Sequence, residues 1–214
     1  IIDGGGYAFL MNSIEMAWPL LPMVKYEPQF ARAIGKWMLN NVNAIKLFFP
    51  NEIPDKNQWL PDMKNLTNSI VAYEGLRYED CYDKPELKGI HPVALGDGPK
   101  WAPCNPKESM FSLYSTSPIG ILGSIVDTTE VKMILRLNCN ATDFYSAKKY
   151  PTYLYYNPYE AIKKVTYKPK GHVDIFDIIS KKYIAKGISS NTKISLPPDE
   201  ACLLIELPAG TFIK

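Results

Sequence analysis

The texture of the chain changes near residue 150, and that change limits its possible folds more than any other feature. Before it, apolar residues recur at helical spacing between long loops. After it come short apolar runs cut by turn residues: "KKVTYKP", "HVDIFDII", "YIAKGIS", "TKISLP" and "ACLLIELP". In "ACLLIEL", Ala201, Leu203, Ile205 and Leu207 share one face, and Cys202, Leu204 and Glu206 share the other, which is the period of a strand. "SKK" and "PPDE" read as hairpin turns. Helices first and strands later predict an α+β chain in two segregated parts. Helical hairpins fill residues 1–149, and an antiparallel β-sandwich of roughly five to seven strands fills 150–214. The Tyr-dense, extended stretch "YPTYLYYNPYE" lies at the junction.

Within the helical part, residues 7–24 read as a mostly buried helix that Pro19 and Pro22 kink or end early. Residues 28–47 are clearer. Pro28 suits a first turn, and Phe30, Ile34, Trp37, Met38, Asn41 and Ile45 fall at helical spacing, with Arg32, Lys36 and Asn40 elsewhere. The short link "KYEP" predicts an antiparallel helical hairpin. Further helices are expected over about 69–78, 117–127 and 130–138, with loops over 48–68 and 79–110. Loops of that length usually carry function or flexibility. The 7–24 helix is apolar on nearly every side and needs neighbours all round. These helices supply too few, so the chain is expected to be the C-terminal part of a longer protein. An upstream helical portion, or a second copy of the chain, would cover the apolar face.

Charge and cysteine usage exclude several function classes. The formal net charge is +2, which gives no footprint for nucleic acid. No apolar run approaches the roughly 18 residues of a membrane span. The four cysteines show no metal-ligand spacing, and His91 and His172 are far apart, so neither a metal site nor a cofactor is expected. Cys202 lies inside an apolar run and reads as a buried thiol. Cys81 and Cys104 flank a loop-rich stretch and are able to pair if the protein is exported. The chain holds 14 Tyr, 4 Trp and 18 Pro. Such aromatics serve as sugar-stacking platforms or as an aromatic-rich core, and composition does not separate the two.

A set of motifs carries a resemblance across nearly the whole chain: "DGGGYAFLMN", "FARAIGKWMLNNVNAIKLFFPN", "IVAYEGLRY", "GDGP", "LYSTSPIGILGSIVDTTEV" and "YPTYLYYNPYE". Together they resemble a group of large bacterial exported proteins without an established catalytic assignment. Those look like six-hairpin (α/α) toroids of the glycosidase type with a C-terminal β-sandwich. The closing pattern "VDIFDIISKKYIAKGI…ISLPPDEACLLIELPAG" is similar to the β-sandwich tails of many carbohydrate-active enzymes. The resemblance implies the last hairpins of an incomplete toroid plus the tail, a carbohydrate ligand, and export to the periplasm, cell surface or medium. It also implies that the isolated chain turns over no glycoside.

Candidate site residues sit where glycines open the backbone. "DGGG" is neither a dinucleotide fingerprint nor a phosphate loop, since Phe9 breaks the first and no Gly-Lys-Ser/Thr follows for the second. Asp3 with Gly4, Gly5 and Gly6 reads either as the lip of a sugar pocket or as an N-cap with a tight turn. Asp97, between Gly96 and Gly98 and near Trp101, suits sugar hydroxyls or an ordinary turn. Glu15 lies among apolar residues, where a carboxylate must be paired or face a cavity. Glu74 is similar, although Arg77 offers a helical ion pair. Glycoside hydrolysis needs two carboxyl groups flanking one bond, and Asp3, Glu15, Glu74 and Asp97 are the candidates. Trp59 and Tyr114 are candidate stacking platforms, with core packing as the alternative. The alternative function is a non-catalytic glycan-binding or structural module.

Overall fold

The computed structural model describes residues 15–45, 54–57, 75–77, 85, 88–90, 93–95, 116–144 and 150–213. The chain divides into two compact units, Ile1–Met16 with Asn41–Leu122, and Ala17–Asn40 with Gly123–Lys214. In the first, Gly75–Arg77 (β1) pairs antiparallel with Val93–Leu95 (β2). The helix expected over 69–78 is therefore replaced by strand at 75–77. Gly75 weakens a helix there, and cross-strand pairing supplies the backbone partners instead.

The second unit joins helices to most of the sheet structure. Ala17–Met23 (α1) ends one residue past Pro22, whose missing N–H breaks the helical ladder. A turn and the 3₁₀ segment Pro28–Phe30 lead into Ala31–Ile45 (α2). Ala31, Ile34, Gly35, Met38 and Leu39 are buried, while Arg32, Lys36 and Asn40 are exposed. That i, i+3, i+4, i+7, i+8 stripe makes α2 a one-sided surface helix. A third helix, Thr116–Ile125 (α3), begins in the first unit, and its end at 123–125 passes directly into a strand of the second.

Six strands form an antiparallel sheet: Val126–Thr128 (β3), Leu135–Asn138 (β4), Thr152–Tyr156 (β5), Val173–Asp177 (β7), Lys182–Ile188 (β8) and Ala201–Pro208 (β10). Their order is β3-β4-β5-β10-β7-β8, and Lys163–Tyr167 (β6) pairs with Thr192–Leu196 (β9) in a separate two-stranded sheet. The chain is α+β, as its texture predicts. Two expectations change. Residues 130–138 form the turn and second strand of a β-hairpin rather than a helix, because Leu135–Asn138 find backbone partners in β3 and β5. "PPDE" is a crossover between the two sheets and not a hairpin turn, whereas "SKK" does join the paired strands β7 and β8.

The central strands β5 and β10 are buried on both faces, which is why "TYLYY" and "ACLLIEL" run almost continuously apolar. Their register puts Tyr155 opposite Cys202 and Tyr153 opposite Leu204 on one face. There they share a core with Val165, Tyr167, Ile194 and Leu196 of the small sheet. Leu154, opposite Leu203, and Tyr156, opposite Ala201, lie on the other face. Here α2 is seated so closely that a Cβ on Gly35 would lie 2.7 Å from the Tyr156 Cβ. Arg32 extends the seat: its Nε donates to the Asp199 carbonyl at 2.7 Å and its terminal nitrogen pairs with the Asp199 carboxylate. The Tyr156 hydroxyl donates to the other Asp199 oxygen at 2.7 Å. Cys139 and Cys202 are buried free thiols.

Candidate functional site

Cross-strand register builds the most site-like feature among the described residues. Asp127 on β3 stands opposite Arg136 on β4, and Arg136 stands opposite Tyr155 on β5. Directly opposed residues of antiparallel strands share a face, so an acid, a base and a phenol line up across three strands. Arg136 donates to Asp127 Oδ2 through Nε at 3.2 Å and through its terminal nitrogen at 2.5 Å. Its guanidinium lies 4.8 Å from the centre of the Tyr153 ring. These side chains wall a cleft of about 310 Å³, completed by Glu130, Thr166 and Lys168.

Glu130, in the β3–β4 turn, ties that hairpin to the small sheet. Its Oε1 accepts from the Thr166 backbone N–H at 2.7 Å, the Thr166 hydroxyl at 2.6 Å and the Lys193 ammonium at 2.6 Å. The Lys193 and Thr166 bonds hold its carboxyl down at about 2. It stays ionised, which suits an anchor or an acceptor and not a general acid.

Tyr155 is the unusual group. It is 1% exposed, and its hydroxyl is shut off from solvent. Burial pushes the phenol well above its ordinary pKa, with the charge of Arg136 and a hydrogen bond to it opposing the rise.

Other buried acids of this unit are consumed locally. Asp174 accepts from the Gly187 and Gly210 N–H groups at 2.7 and 2.9 Å. Asp177 accepts from Leu203 at 3.0 Å and from the turn residues Ile179 and Ser180. Glu206 accepts from the Tyr167 hydroxyl at 3.0 Å. A larger cleft of about 580 Å³ beside His172, Asp174 and Tyr183 is a weaker candidate. Its Tyr183 hydroxyl is already spent on the Thr211 carbonyl at 2.5 Å.

Of the residues singled out from sequence, Asp3, Gly4, Gly5, Gly6, Trp59, Glu74, Asp97, Trp101 and Tyr114 lie outside the described residues. Glu15 stands half-buried in the turn leading into α1 and not inside a helix. The Asp127–Arg136–Tyr155 row was not foreseen; only the spacing of Asp127 and Arg136 about a short hairpin hints at it. Among the described residues, no cluster of His, Cys, Asp and Glu has the make-up of a metal site. No helix there is long and apolar enough to cross a membrane.

No protein-family model matches the chain, and no curated protein matches it. Among solved structures it is similar to one described as "Crystal Structure of Anoxybacillus Alpha-amylase Provides Insights into a New Glycosyl Hydrolase Subclass". The identity is 12% and the TM-score 0.30, over 53% of this chain and 27% of that one. The chain thus spans about a quarter of that protein's length, and a likeness this slight decides neither fold nor activity.

Proposed function

We propose that this chain belongs to an exported carbohydrate-active protein of the glycoside hydrolase type. In this reading the helical part contributes the closing hairpins of an (α/α) toroid, together with the carboxylates Asp3, Glu15, Glu74 and Asp97. The glycine-flanked loops and Trp59, Trp101 and Tyr114 hold the glycan. The observation that carries the reading is the resemblance of the motif set to exported toroid-type proteins; the α+β build is compatible with it. The β-rich unit supports a division of labour. Its buried acids are tied to N–H groups, to a phenol or, for Asp143, to the Lys25 ammonium, and Glu130 is held ionised, so none of these is placed to protonate a leaving group.

The second reading is a non-catalytic glycan-binding module. The cleft of Asp127, Arg136 and Tyr155 favours it, because its carboxylates, Asp127 and Glu130, are both ion-paired. Affinity electrophoresis through gels carrying neutral polysaccharides tests both readings, with reducing-sugar release followed alongside. Retardation, with release only when the upstream helical portion is joined to the chain and lost in Asp97→Asn, supports the hydrolase; retardation without release even by that longer protein supports the binding module. Neither retardation nor release contradicts both.

A further inference from the structure

We propose that the cleft of about 580 Å³ beside His172 seats one sugar unit of a neutral glycan, stacked on the Phe212 ring. The inference rests on the carbohydrate reading above and gives it a place in the β-rich unit. A buried charge shapes this cleft. Asp174 on β7 is 2% exposed, and its two oxygens accept from Gly187 on β8 and from Gly210 just after β10. Both glycines line the cleft and have positive φ, 60° and 83°, which glycine adopts without strain. A carboxylate is costly to bury, and here its bonds fix the two segments that flank the opening. The chain beyond Gly210 is pinned as well. The Thr211 N–H donates to the Pro208 carbonyl at 3.0 Å, and the Thr211 carbonyl accepts from the Tyr183 hydroxyl at 2.5 Å. Phe212, the next residue, lines the cleft and is 83% exposed. An aromatic ring held in the open beside a preformed cleft presents its face to a ligand.

The unfilled groups select the class of ligand. The Tyr183 hydroxyl is taken up by Thr211, the Thr211 hydroxyl by Pro208, and both Asp174 oxygens by N–H groups. Lys186 makes no hydrogen bond or ion pair among the described residues; its ammonium lies 4.2 Å from the centre of the Tyr183 ring and covers that face. His172, which is exposed, has no partner among the described residues either. The cleft therefore offers one open ring beside an ammonium and an imidazole. A sugar matches both: its C–H face lies on the ring, and its hydroxyls accept from Lys186 and exchange bonds with His172. An apolar ligand would strand the ammonium. A small anion has no use for the ring and meets Asp174 as well as Lys186, so the fixed charges of the lining favour a neutral ligand. The volume lies within the roughly 300–1,000 Å³ range of ligand sites.

The test is calorimetric titration of the intact chain with maltopentaose, cellopentaose, xylopentaose and mannopentaose, with glucuronate and inorganic phosphate as anionic arms. Phe212→Ala, Phe212→Tyr and Lys186→Met are compared with the wild type. At least one pentaose is expected to bind. Phe212→Ala should weaken it about fivefold, or about 1 kcal/mol. Phe212→Tyr should bind as the wild type does, because the ring remains, and Lys186→Met should weaken binding severalfold. The melting temperature of Phe212→Ala should not move, since so exposed a ring has little packing to lose. A pentaose bound equally well by Phe212→Ala overturns the cleft and leaves the carbohydrate reading standing. A clear loss of stability in Phe212→Ala makes the ring structural and overturns the site. Binding of glucuronate or phosphate alone overturns the neutral class. If no pentaose binds the wild type, the inference and the reading beneath it both fall.

Discussion

Replacing Gly35 with alanine tests how α2 is seated on the sheet. The new methyl would lie 2.7 Å from the Tyr156 Cβ, about 0.8 Å inside the closest comfortable carbon–carbon contact of roughly 3.5 Å. The Tyr156 Cβ is fixed to β5, which is held between β4 and β10, so the obstacle is not a flexible side-chain end. The helix must move instead, loosening the packing of Ala31, Ile34, Met38 and Leu39. Overpacking of this kind costs about 1–3 kcal/mol. Alanine returns up to about 1 kcal/mol of helix propensity. The expected net loss is about 1–2 kcal/mol, or roughly 2–8 °C in Tm for a chain of this size. Thermal and urea melts followed by tyrosine near-ultraviolet circular dichroism measure it. Lys36→Ala, one position along on the exposed face, is the control and should stay within about 0.5 kcal/mol of wild type. A Gly35→Ala protein as stable as wild type, or more so, would refute the close seat, because only propensity would then remain.

Three other outcomes are expected. Lys25 reaches Asp143 at 2.5 Å, and that carboxylate side chain is 0% exposed; Lys25→Met should cost about 3 kcal/mol in urea unfolding, with part regained in Lys25→Met/Asp143→Asn. Glu130 should titrate near pH 2 by carboxyl ¹³C NMR. Because folding lowers its pKa from 4.5, its stabilisation is complete above about pH 4.5 and fades as pH falls toward 2. Lys193→Ala should move the titration upward while costing less than about 1 kcal/mol, since the pair is exposed. Burial pushes the Cys139 and Cys202 thiols up to about 12, so neither should react with a thiol reagent at pH 8 until the chain unfolds.

The strands after residue 150 were legible because their signal is local. Alternation and continuous apolar runs mark β5 and β10, and "SKK" marks a true hairpin. α2 was legible for the same reason, through its 3.6-residue stripe. What failed depended on distant partners. "PPDE" resembles any tight turn, and only the pairing of β9 with β6 makes it a crossover. Leu135–Asn138 is too short to separate helix from strand by periodicity alone, and it becomes a strand by pairing with β3 and β5. The cleft was illegible for a related reason. Asp127, Arg136 and Tyr155 meet through the register of three strands, and Glu130 meets Thr166 and Lys193 across two sheets. No local spacing encodes such a meeting.

The carbohydrate reading meets its most direct test in a crystal structure of the intact chain soaked with a neutral oligosaccharide. The account predicts a sugar bound to the chain, with its hydroxyls about 2.7–3.2 Å from polar groups of the protein. A crystal that takes up no sugar at high concentration would contradict it.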